Sequence, residues 1–227
     1  MTTVLPSPHP AVPGLLRVQH LTRVEDGERL HGLLWRAGGD WRMIGSAVLG
    51  GGIGPREWVL NAQVSHGYRR TDPERHLADL ARDAGARGTG VGLMTAADVR
   101  AYGLSCDGGV EAVVTAGLGV RGWAASPAGG TVAPVRPGTV NIIVALPVAL
   151  TDAALVNAVA TATEAKVQAL LEAGYDCSGT PTDAVCVAAR TGSGREVHAF
   201  MGPRSRWGSR LARAVHGAVL SAVSHAR

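Results

Sequence analysis

Residues 139–146 read TVNIIVAL, a continuous apolar run that is typical of a buried β-strand. The longest helix pattern follows it over residues 153–173, with Thr151 as the predicted N-terminal cap and Gly174 as the stop. Another apolar strand pattern comes next, at residues 184–188. Predicted strands therefore alternate with helices in this half of the chain.

The first half of the chain differs, because three predicted strands follow one another before any helix. Strands are predicted at residues 33–36, 43–49, 58–64, 91–94, 112–115 and, more weakly, 197–201. A helix is predicted from Thr71, with Glu74 completing a capping box, and a C-terminal helix over residues 207–222. This mixture predicts an α+β fold, with a mixed β-sheet packed by about three helices in a layered α/β sandwich. We expect a single domain over residues 15–227, preceded by a flexible, proline-rich tail at residues 1–14.

Composition excludes several classes of protein. Hydrophobic residues make up 46% of the chain and charged residues 18%, which is enough apolar material for a core. The net charge is +4, but the arginines are scattered, so we expect no nucleic-acid partner. No stretch approaches the length of a membrane span, so we expect no membrane contact and a cytoplasmic location. The sequence leaves the oligomeric state open, a homo-oligomer included.

Cysteine and histidine spacing predicts that the protein binds no metal of its own. The three cysteines form no CxxC pair, and an odd, sparse set also argues against a disulfide scaffold. The eight histidines are dispersed, without the spacing of a metal-binding motif.

Only one of the 22 basic residues is a lysine, and it lies on the apolar side of the longest predicted helix. At 100° per residue, the apolar arc of this helix contains Leu155, Val156, Val159, Val167, Leu170 and Leu171, and Lys166 falls between Leu155 and Val159. A desolvated lysine can act as a base or donate to a developing negative charge. The alternative is a side chain whose stem covers the core while its ammonium reaches water. Glu164 points to the opposite, polar side of the helix and has a role only if that side faces a cleft.

The turn at residues 178–183 reads SGTPTD and combines hydroxylated side chains with a carboxylate. Asp183 is predicted to be a general base or to orient a nucleophile. Ser178, Thr180 and Thr182 are the hydroxyls available for a covalent route, and a water-activated route stays equally open. The alternative is a capped turn in which Thr180 and Asp183 satisfy their own backbone.

Two more polar residues and one glycine-rich segment adjoin predicted strands. Asn141 is unusual in an apolar strand and is predicted to make a specific hydrogen bond, either structural or as an oxyanion donor. Asp98 lies at a strand end, where pocket residues tend to lie. Residues 50–54 read GGGIG, but no helix start follows, so a tight turn is favoured over a phosphate loop.

These features belong to a set of motifs that occurs in a specific order along most of the chain. The set comprises Ser46 with residues 50–52 (GGG), Asn61, residues 91–97 (VGLMTAA), 115–118 (TAGL), 138–143 (GTVNII), 162–166 (ATEAK), 179–184 (GTPTDA) and Gly202-Pro203. It resembles the adenosylcobinamide amidohydrolase family of corrinoid salvage. The chain departs from that family at two places. Residues 119–123 read GVRGW, where the family tends to have Asn-Ala followed by a charged, glycine-containing loop, and Ser178 stands where the family usually has threonine.

The resemblance implies hydrolysis of the amide between the aminopropanol arm of adenosylcobinamide and its corrin side chain. The products would be adenosylcobyric acid, which re-enters coenzyme B12 synthesis, and 1-amino-2-propanol. Cobalt would then belong to the corrinoid substrate, and no cofactor would be bound by the protein. The candidate catalytic residues are Asp183, Lys166, Thr180, Thr182, Asn141 and Glu164. The candidate substrate-binding residues are Ser46, Gly51, Gly52, Asn61, Thr95, Asp98, Thr115, Trp123, Thr139 and Ser178.

Other classes of function stay open at this point. A non-catalytic corrinoid- or nucleotide-binding protein would use the glycine-rich segments as a cradle, and another amidase would act on a smaller substrate. The long loop over residues 117–138, with Trp123, favours a bulky substrate and is predicted to close over it as a lid.

Overall fold

Two β-sheets lie face to face in this protein, with one helix on the outer face of one sheet and two helices on the outer face of the other. The computed structural model describes residues 3–5, 14–126, 138–192, 194 and 196–225. Within these residues the strands are β1 (Thr3–Leu5), β2 (Val18–Glu25), β3 (Glu28–Arg36), β4 (Trp41–Gly45), β5 (Gly52–Pro55), β6 (Trp58–Gln63), β7 (Gly90–Thr95), β8 (Gly103–Asp107), β9 (Val110–Ala116), β10 (Val140–Leu146), β11 (Ala149–Leu150), β12 (Ala184–Arg190) and β13 (Val197–His198). The helices are α1 (Pro73–Asp83), α2 (Asp152–Glu172) and α3 (Arg206–His225). The α+β class and the layered arrangement are thus confirmed.

Both large sheets are mixed, where the sequence predicts one mixed sheet. The first has the strand order β1-β2-β3-β6-β7 and is antiparallel except for the pair β6–β7. The second has the order β5-β4-β12-β10-β9-β8 and is antiparallel except for the pair β10–β12. Strands β11 and β13 form a third, two-stranded parallel sheet.

Alternation along the strands divides the core between three interfaces. Ile143 of β10 faces the first sheet and belongs to the same cluster as Leu33 and Val91. Val144, its neighbour, faces α2 and α3, while α1 covers the outer face of the first sheet. All seven residues of β10 are buried, which explains why its sequence is apolar without alternation.

Helix α2 turns a face of small residues to the core, which differs from the predicted apolar arc. Val156 and Leu171, both predicted inside that arc, are 57% and 46% exposed. Leu155 and Leu170 are buried, as predicted, and the full set of buried residues is Ala154, Leu155, Ala158, Thr161, Ala162, Ala165, Lys166, Ala169 and Leu170. Alanines let a helix pack closely against its neighbours. Close fit, rather than side-chain hydrophobicity, therefore determines which face of α2 is buried. The prediction that Lys166 lies on the buried side is confirmed.

The starts of two helices test the predicted caps. At α2, Thr151 accepts a hydrogen bond from the N–H of Ala154 at 3.2 Å, as predicted. At α1, the prediction of Thr71 is wrong, because Asp72 occupies the cap position and makes no side-chain cap bond. Its carboxylate pairs instead with Arg70 at 2.9 Å.

Several strand assignments differ from the sequence patterns. Strands β2 and β8 carry partly exposed, polar side chains, and their patterns are correspondingly weak. Within the predicted tail, Thr3–Leu5 pairs with β2, and residues 6–13 lie outside the described residues. Residues 52–55 form β5 against β4, so the GGGIG segment closes a hairpin, in agreement with the favoured turn interpretation.

Candidate active site

The sequence motifs converge at one end of the second sheet. Strands β10 and β12 are parallel and begin there, at Val140 and Ala184, while their antiparallel neighbours β9 and β4 end there, at Ala116 and Gly45. Helix α2 passes the same end and places Lys166 beside the turn that leads into β12. Segments far apart in sequence therefore meet at one edge.

Lys166 and Asp183 form a buried ion pair at this edge. Nζ of Lys166 lies 2.5 Å from Oδ2 of Asp183, and the two side chains are 8% and 12% exposed. The ammonium ends on a carboxylate rather than in water, which rules out the solvent-seeking interpretation of the lone lysine. Within the described part of the chain this is the one polar contact of Nζ, so two of its three N–H groups are available to another acceptor.

The Asp183 carboxylate accepts hydrogen bonds at all four of its lone-pair positions. Oδ1 accepts from the N–H of Val140 at 2.8 Å and from the Thr180 hydroxyl at 2.6 Å. Oδ2 accepts from the N–H of Thr180 at 3.2 Å and from Lys166. Main-chain, hydroxyl and ammonium donors from three separate segments thus fix the orientation of the carboxylate.

Gly179 provides the space that this arrangement needs. Its φ is +147°, a backbone conformation that side-chain-bearing residues rarely adopt. A Cβ at this position would overlap Oδ2 of Asp183 and would lie 2.5 Å from Nζ of Lys166. The turn therefore requires glycine where the ion pair passes its backbone.

Thr139 and Thr182 place two more hydroxyls beside the turn. Their Oγ1 atoms are 2.7 Å apart, and the Thr182 hydroxyl lies 3.2 Å from the carbonyl oxygen of Gly138. Thr139 is 6% exposed, whereas Thr182 is an exposed residue. Thr182 is therefore the member of this pair that an incoming molecule can contact.

A buried polar network lies behind this edge, between the two sheets. Asn141 donates through Nδ2 to Oδ1 of Asn61 at 2.8 Å and to the carbonyl oxygen of Met94 at 3.0 Å. Asn61 donates to Oγ1 of Thr115 at 2.9 Å. Both amide hydrogens of Asn141 are thus used within the protein, which supports its structural role over an oxyanion donor. All three side chains are almost fully buried, so they join the two sheets beneath the surface.

The end of β7 and the loop after it contribute Thr95 and Asp98 from the first sheet. Thr95 is buried and its hydroxyl oxygen accepts from the N–H of Ala97 at 3.0 Å. Asp98 is exposed and pairs with Arg100 at 2.7 Å. Hydrogen bonds from that guanidinium hold the pKa of the Asp98 carboxyl below its usual value. Asp98 is therefore an ionised carboxylate that already has a cationic partner.

The first part of the predicted lid is attached to the same turn. The N–H of Gly122 donates to the carbonyl oxygen of Gly179, and the N–H of Ser178 donates to that of Gly122, both at 3.0 Å. The Ser178 hydroxyl accepts from the N–H of Ala124 at 2.8 Å. Trp123 is 44% exposed, and its indole N–H donates to Asp176 at 3.2 Å. The remainder of the lid, residues 127–137, lies outside the described residues.

Four predicted residues form no hydrogen bond or ion pair with Lys166 or Asp183 among the described residues, although Ser46, Gly51 and Gly52 lie at the same end of the second sheet. Glu164 is exposed on the outer side of α2, where it contacts none of the predicted site residues that the structure describes. Ser46 continues the β4–β12 pairing, and its hydroxyl accepts from the N–H of Val185 at 3.1 Å. Gly51 and Gly52 lie in the hairpin between β4 and β5.

Cys177 is a neighbour of the pair that the sequence pattern did not single out. It is fully buried, and burial together with the nearby Asp183 charge raises the pKa of its thiol. A protonated, inaccessible thiol is a poor nucleophile. Its place immediately before the SGTPTD turn is the only sequence signal that could have drawn attention to it.

A cleft lies where β6 and β7 begin, at the ends of these strands opposite to the Lys166–Asp183 pair. It measures about 590 Å³ and is lined by residues that include Arg56, Trp58, Arg82 and Gly90. The described residues contain no group of three His, Cys, Asp or Glu side chains that could hold a metal ion. None of the three described helices is long and apolar enough to cross a membrane.

Comparison with known proteins agrees with the motif order. The family model described as adenosylcobinamide amidohydrolase matches residues 16–227. An adenosylcobinamide amidohydrolase from Methanosarcina mazei is 35% identical over 153 residues, which are 67% of this chain and 72% of that protein. One from Halobacterium salinarum is 46% identical over 90 residues, 37% of this chain and 38% of that protein. The crystal structure of the PH0078 protein from Pyrococcus horikoshii superposes with a TM-score of 0.49 at 14% identity, covering 94% of this chain and 85% of that one. On the length of the family match and the identity to the first relative, the chain belongs to the adenosylcobinamide amidohydrolase family.

Proposed function

We propose that this amidohydrolase cleaves the amide between the corrin side chain and the aminopropanol arm of adenosylcobinamide. The products are adenosylcobyric acid and 1-amino-2-propanol, and the acid re-enters coenzyme B12 synthesis. The observation that carries the proposal is the contact of Lys166, Asp183 and Thr180 at the edge where the family motifs meet. Cobalt enters with the substrate, and the protein supplies no metal or cofactor of its own.

Amide hydrolysis needs an oxygen nucleophile, a group that takes its proton, a donor for the developing oxyanion and a proton for the leaving amine. Asp183 is positioned to take and return a proton through Oδ1, which already accepts the Thr180 hydroxyl hydrogen. The free N–H groups of Lys166 are suited to the oxyanion, because an ammonium in a buried site stabilises negative charge strongly. These two residues can therefore supply three of the four requirements.

Recognition of a large, amide-bearing corrinoid fits the groups around this centre. Thr182 is an exposed residue next to Asp183, and Trp123 offers a partly exposed indole from the attached loop. Asp98 and Arg100 add an ion pair at the surface of the first sheet. Hydroxyls and ion-paired groups can bond amide side chains, while an indole can cover an apolar ring face.

The test is incubation of the purified protein with adenosylcobinamide, followed by mass spectrometry of the corrinoid and assay of free 1-amino-2-propanol. Equal amounts of adenosylcobyric acid and amine are expected. The variant Asp79→Asn changes a partly exposed carboxylate on α1 that pairs with Arg82, and it should behave as the wild type. Tight corrinoid binding without amine release would favour the binding-protein alternative. Turnover of small amides in place of the corrinoid would favour the smaller-substrate amidase.

A further inference from the structure

We propose that the Thr180 hydroxyl is the nucleophile, so that hydrolysis passes through an ester between Thr180 and the acyl group of the substrate. The inference rests on the proposed function and chooses between the covalent and water-activated routes that the sequence leaves open. It follows from the hydrogen bonds around one carboxylate.

Thr180 is the hydroxyl that contacts the base. Its Oγ1 lies 2.6 Å from Oδ1 of Asp183, a short bond typical of a hydroxyl that donates to an ionised carboxylate. The other three donors to Asp183 are the N–H groups of Val140 and Thr180 and the ammonium of Lys166. With all four lone-pair positions used, a water molecule can reach this base only by displacing a donor. The proton in place for transfer is therefore that of Thr180.

The neighbouring nucleophiles are engaged elsewhere or inaccessible. The Ser178 hydroxyl holds the loop through Ala124 and Gly122. The Thr182 hydroxyl bonds to Thr139 and Gly138, and within the described residues it forms no hydrogen bond with the Asp183 or Lys166 side chain. Cys177 is fully buried.

A simple capped turn would also join Thr180 to Asp183, since the two residues are three apart. Such a turn needs neither a lysine from a distant helix nor a glycine that clears space for that lysine. Lys166 reaches the turn from α2, and Gly179 leaves the room that its ammonium occupies. These two features add an oxyanion donor to the hydroxyl–carboxylate pair, which a turn alone does not require.

Water is the only reactant that the reaction needs besides the amide substrate. Oγ1 of Thr180 attacks the amide carbon as its proton passes to Asp183, and Lys166 donates to the oxyanion. Asp183 then protonates the amide nitrogen and the C–N bond breaks. The amine 1-amino-2-propanol departs, and the acyl group remains on Thr180 as an ester. Water next attacks the ester carbon and gives one proton to Asp183, which returns it to Oγ1 as the C–O bond breaks. The products are the acid, the amine and the original Thr180.

The experiment follows the ester directly. The full-length protein is mixed with adenosylcobinamide, quenched with acid during turnover, and measured by intact and peptide mass spectrometry. We expect an adduct of the acyl mass on the peptide that contains Thr180, and hydroxamate product when hydroxylamine is present. Thr180→Ala should lose the adduct and lower kcat by roughly 1,000-fold or more. Thr180→Ser, which restores a hydroxyl, should keep the adduct and remain within about tenfold of the wild type.

Matched variants separate chemistry from folding. Thr163→Ala removes an exposed hydroxyl on α2 that bonds only to its own helix, and Cys177→Ala removes the buried thiol; both should retain the Thr180 adduct. If the wild type releases amine while Thr180→Ala turns over comparably, or if the adduct lies on another residue, Thr180 is not the nucleophile. Amine release with neither adduct nor hydroxamate also overturns the covalent route and leaves the proposed function intact. Absence of amine release from the wild type would overturn the proposed function itself.

Discussion

Lys166 Nζ lies 2.5 Å from Asp183 Oδ2, and this contact joins helix α2 to the turn before β12 across 17 residues of sequence. Both side chains are about nine-tenths buried. Removing one member of such a pair leaves an uncompensated charge in the interior. Stability and chemistry therefore depend on the same contact. The pair can be tested both by unfolding measurements and by turnover.

Replacing Lys166 with methionine is expected to destabilise the fold, although an apolar side chain suits the helix pattern. The Asp183 charge would stay buried without its cation, at a cost on the order of 3 kcal/mol in the free energy of unfolding. The measurement is urea unfolding, with turnover expected to fall to background. The double variant Lys166→Met with Asp183→Asn should recover part of the lost stability. Additive losses in the double variant would contradict a coupled pair.

Lys166→Arg tests the geometry of the cation rather than its charge. Arginine keeps a positive charge, but its planar fork does not fit the space that Gly179 leaves for a compact ammonium. We expect a folded protein whose kcat is at least about tenfold lower, since the oxyanion donor is displaced. Normal turnover would show that any cation at this position is sufficient.

Gly179→Ala should damage the site more than an equivalent change at another positive-φ glycine. A methyl group at residue 179 would overlap the Asp183 carboxylate, so we expect roughly 2 kcal/mol of destabilisation and loss of most turnover. Gly174→Ala is the control, because that glycine follows α2 at a φ of +84° with open space around it. Its cost should be about 1 kcal/mol of backbone strain, with kcat unchanged. Equal activity of the two variants would contradict the close approach described for Gly179.

Helical periodicity predicts the burial of Lys166, but the sequence patterns do not predict how the layers around it are arranged. Lys166 could be placed on the buried face because helical periodicity is independent of tertiary structure. Its pairing with Asp183 could not be derived, since strand order and the parallel β10–β12 alignment decide which segments meet. The division into two sheets was missed for the same reason. Val156 and Leu171 were predicted to lie in the core because a hydropathy pattern reflects side-chain hydrophobicity and not shape. In the structure, alanines form the packed face of α2.

The attached part of the loop should differ in dynamics from a freely moving lid. Gly122 donates to Gly179 and accepts from Ser178, so the amides of Gly122 and Ser178 should exchange slowly with solvent deuterium. Ser178→Ala removes the side-chain acceptor for the Ala124 N–H, and exchange at Ala124 should become faster while Gly122 stays protected. Fast exchange at Gly122 in the wild type, slowed by a corrinoid, would instead support closure of the whole loop over the substrate.

A decrease in stability is expected as the pH falls below about 6.5, and His76 of α1 is one of its sources. Burial lowers the pKa of His76 from its usual value, although Glu25, 3.2 Å from Nε2, acts in the opposite direction. Tyr68, with its hydroxyl 3.0 Å from Nδ1, and the charges of Arg23 and Arg70 complete the surroundings. Below the unfolded-state pKa the unfolded chain binds more protons than the folded one, so protonation favours unfolding.

His76→Gln should therefore flatten the dependence of the melting temperature on pH between about 5 and 7.5. The dependence should not vanish, because burial also lowers the pKa of His31. Protonation of His31 therefore also destabilises the folded protein as the pH falls. His66→Gln is the matched control: His66 is exposed in the loop before α1, so this variant removes a histidine without removing a buried imidazole. Above about pH 7.5 His76 is neutral in the folded and unfolded chains, so His76→Gln and the wild type should show the same slope there. If His76→Gln kept the wild-type slope below pH 6.5, the Glu25 carboxylate would have to offset the burial of the imidazolium completely.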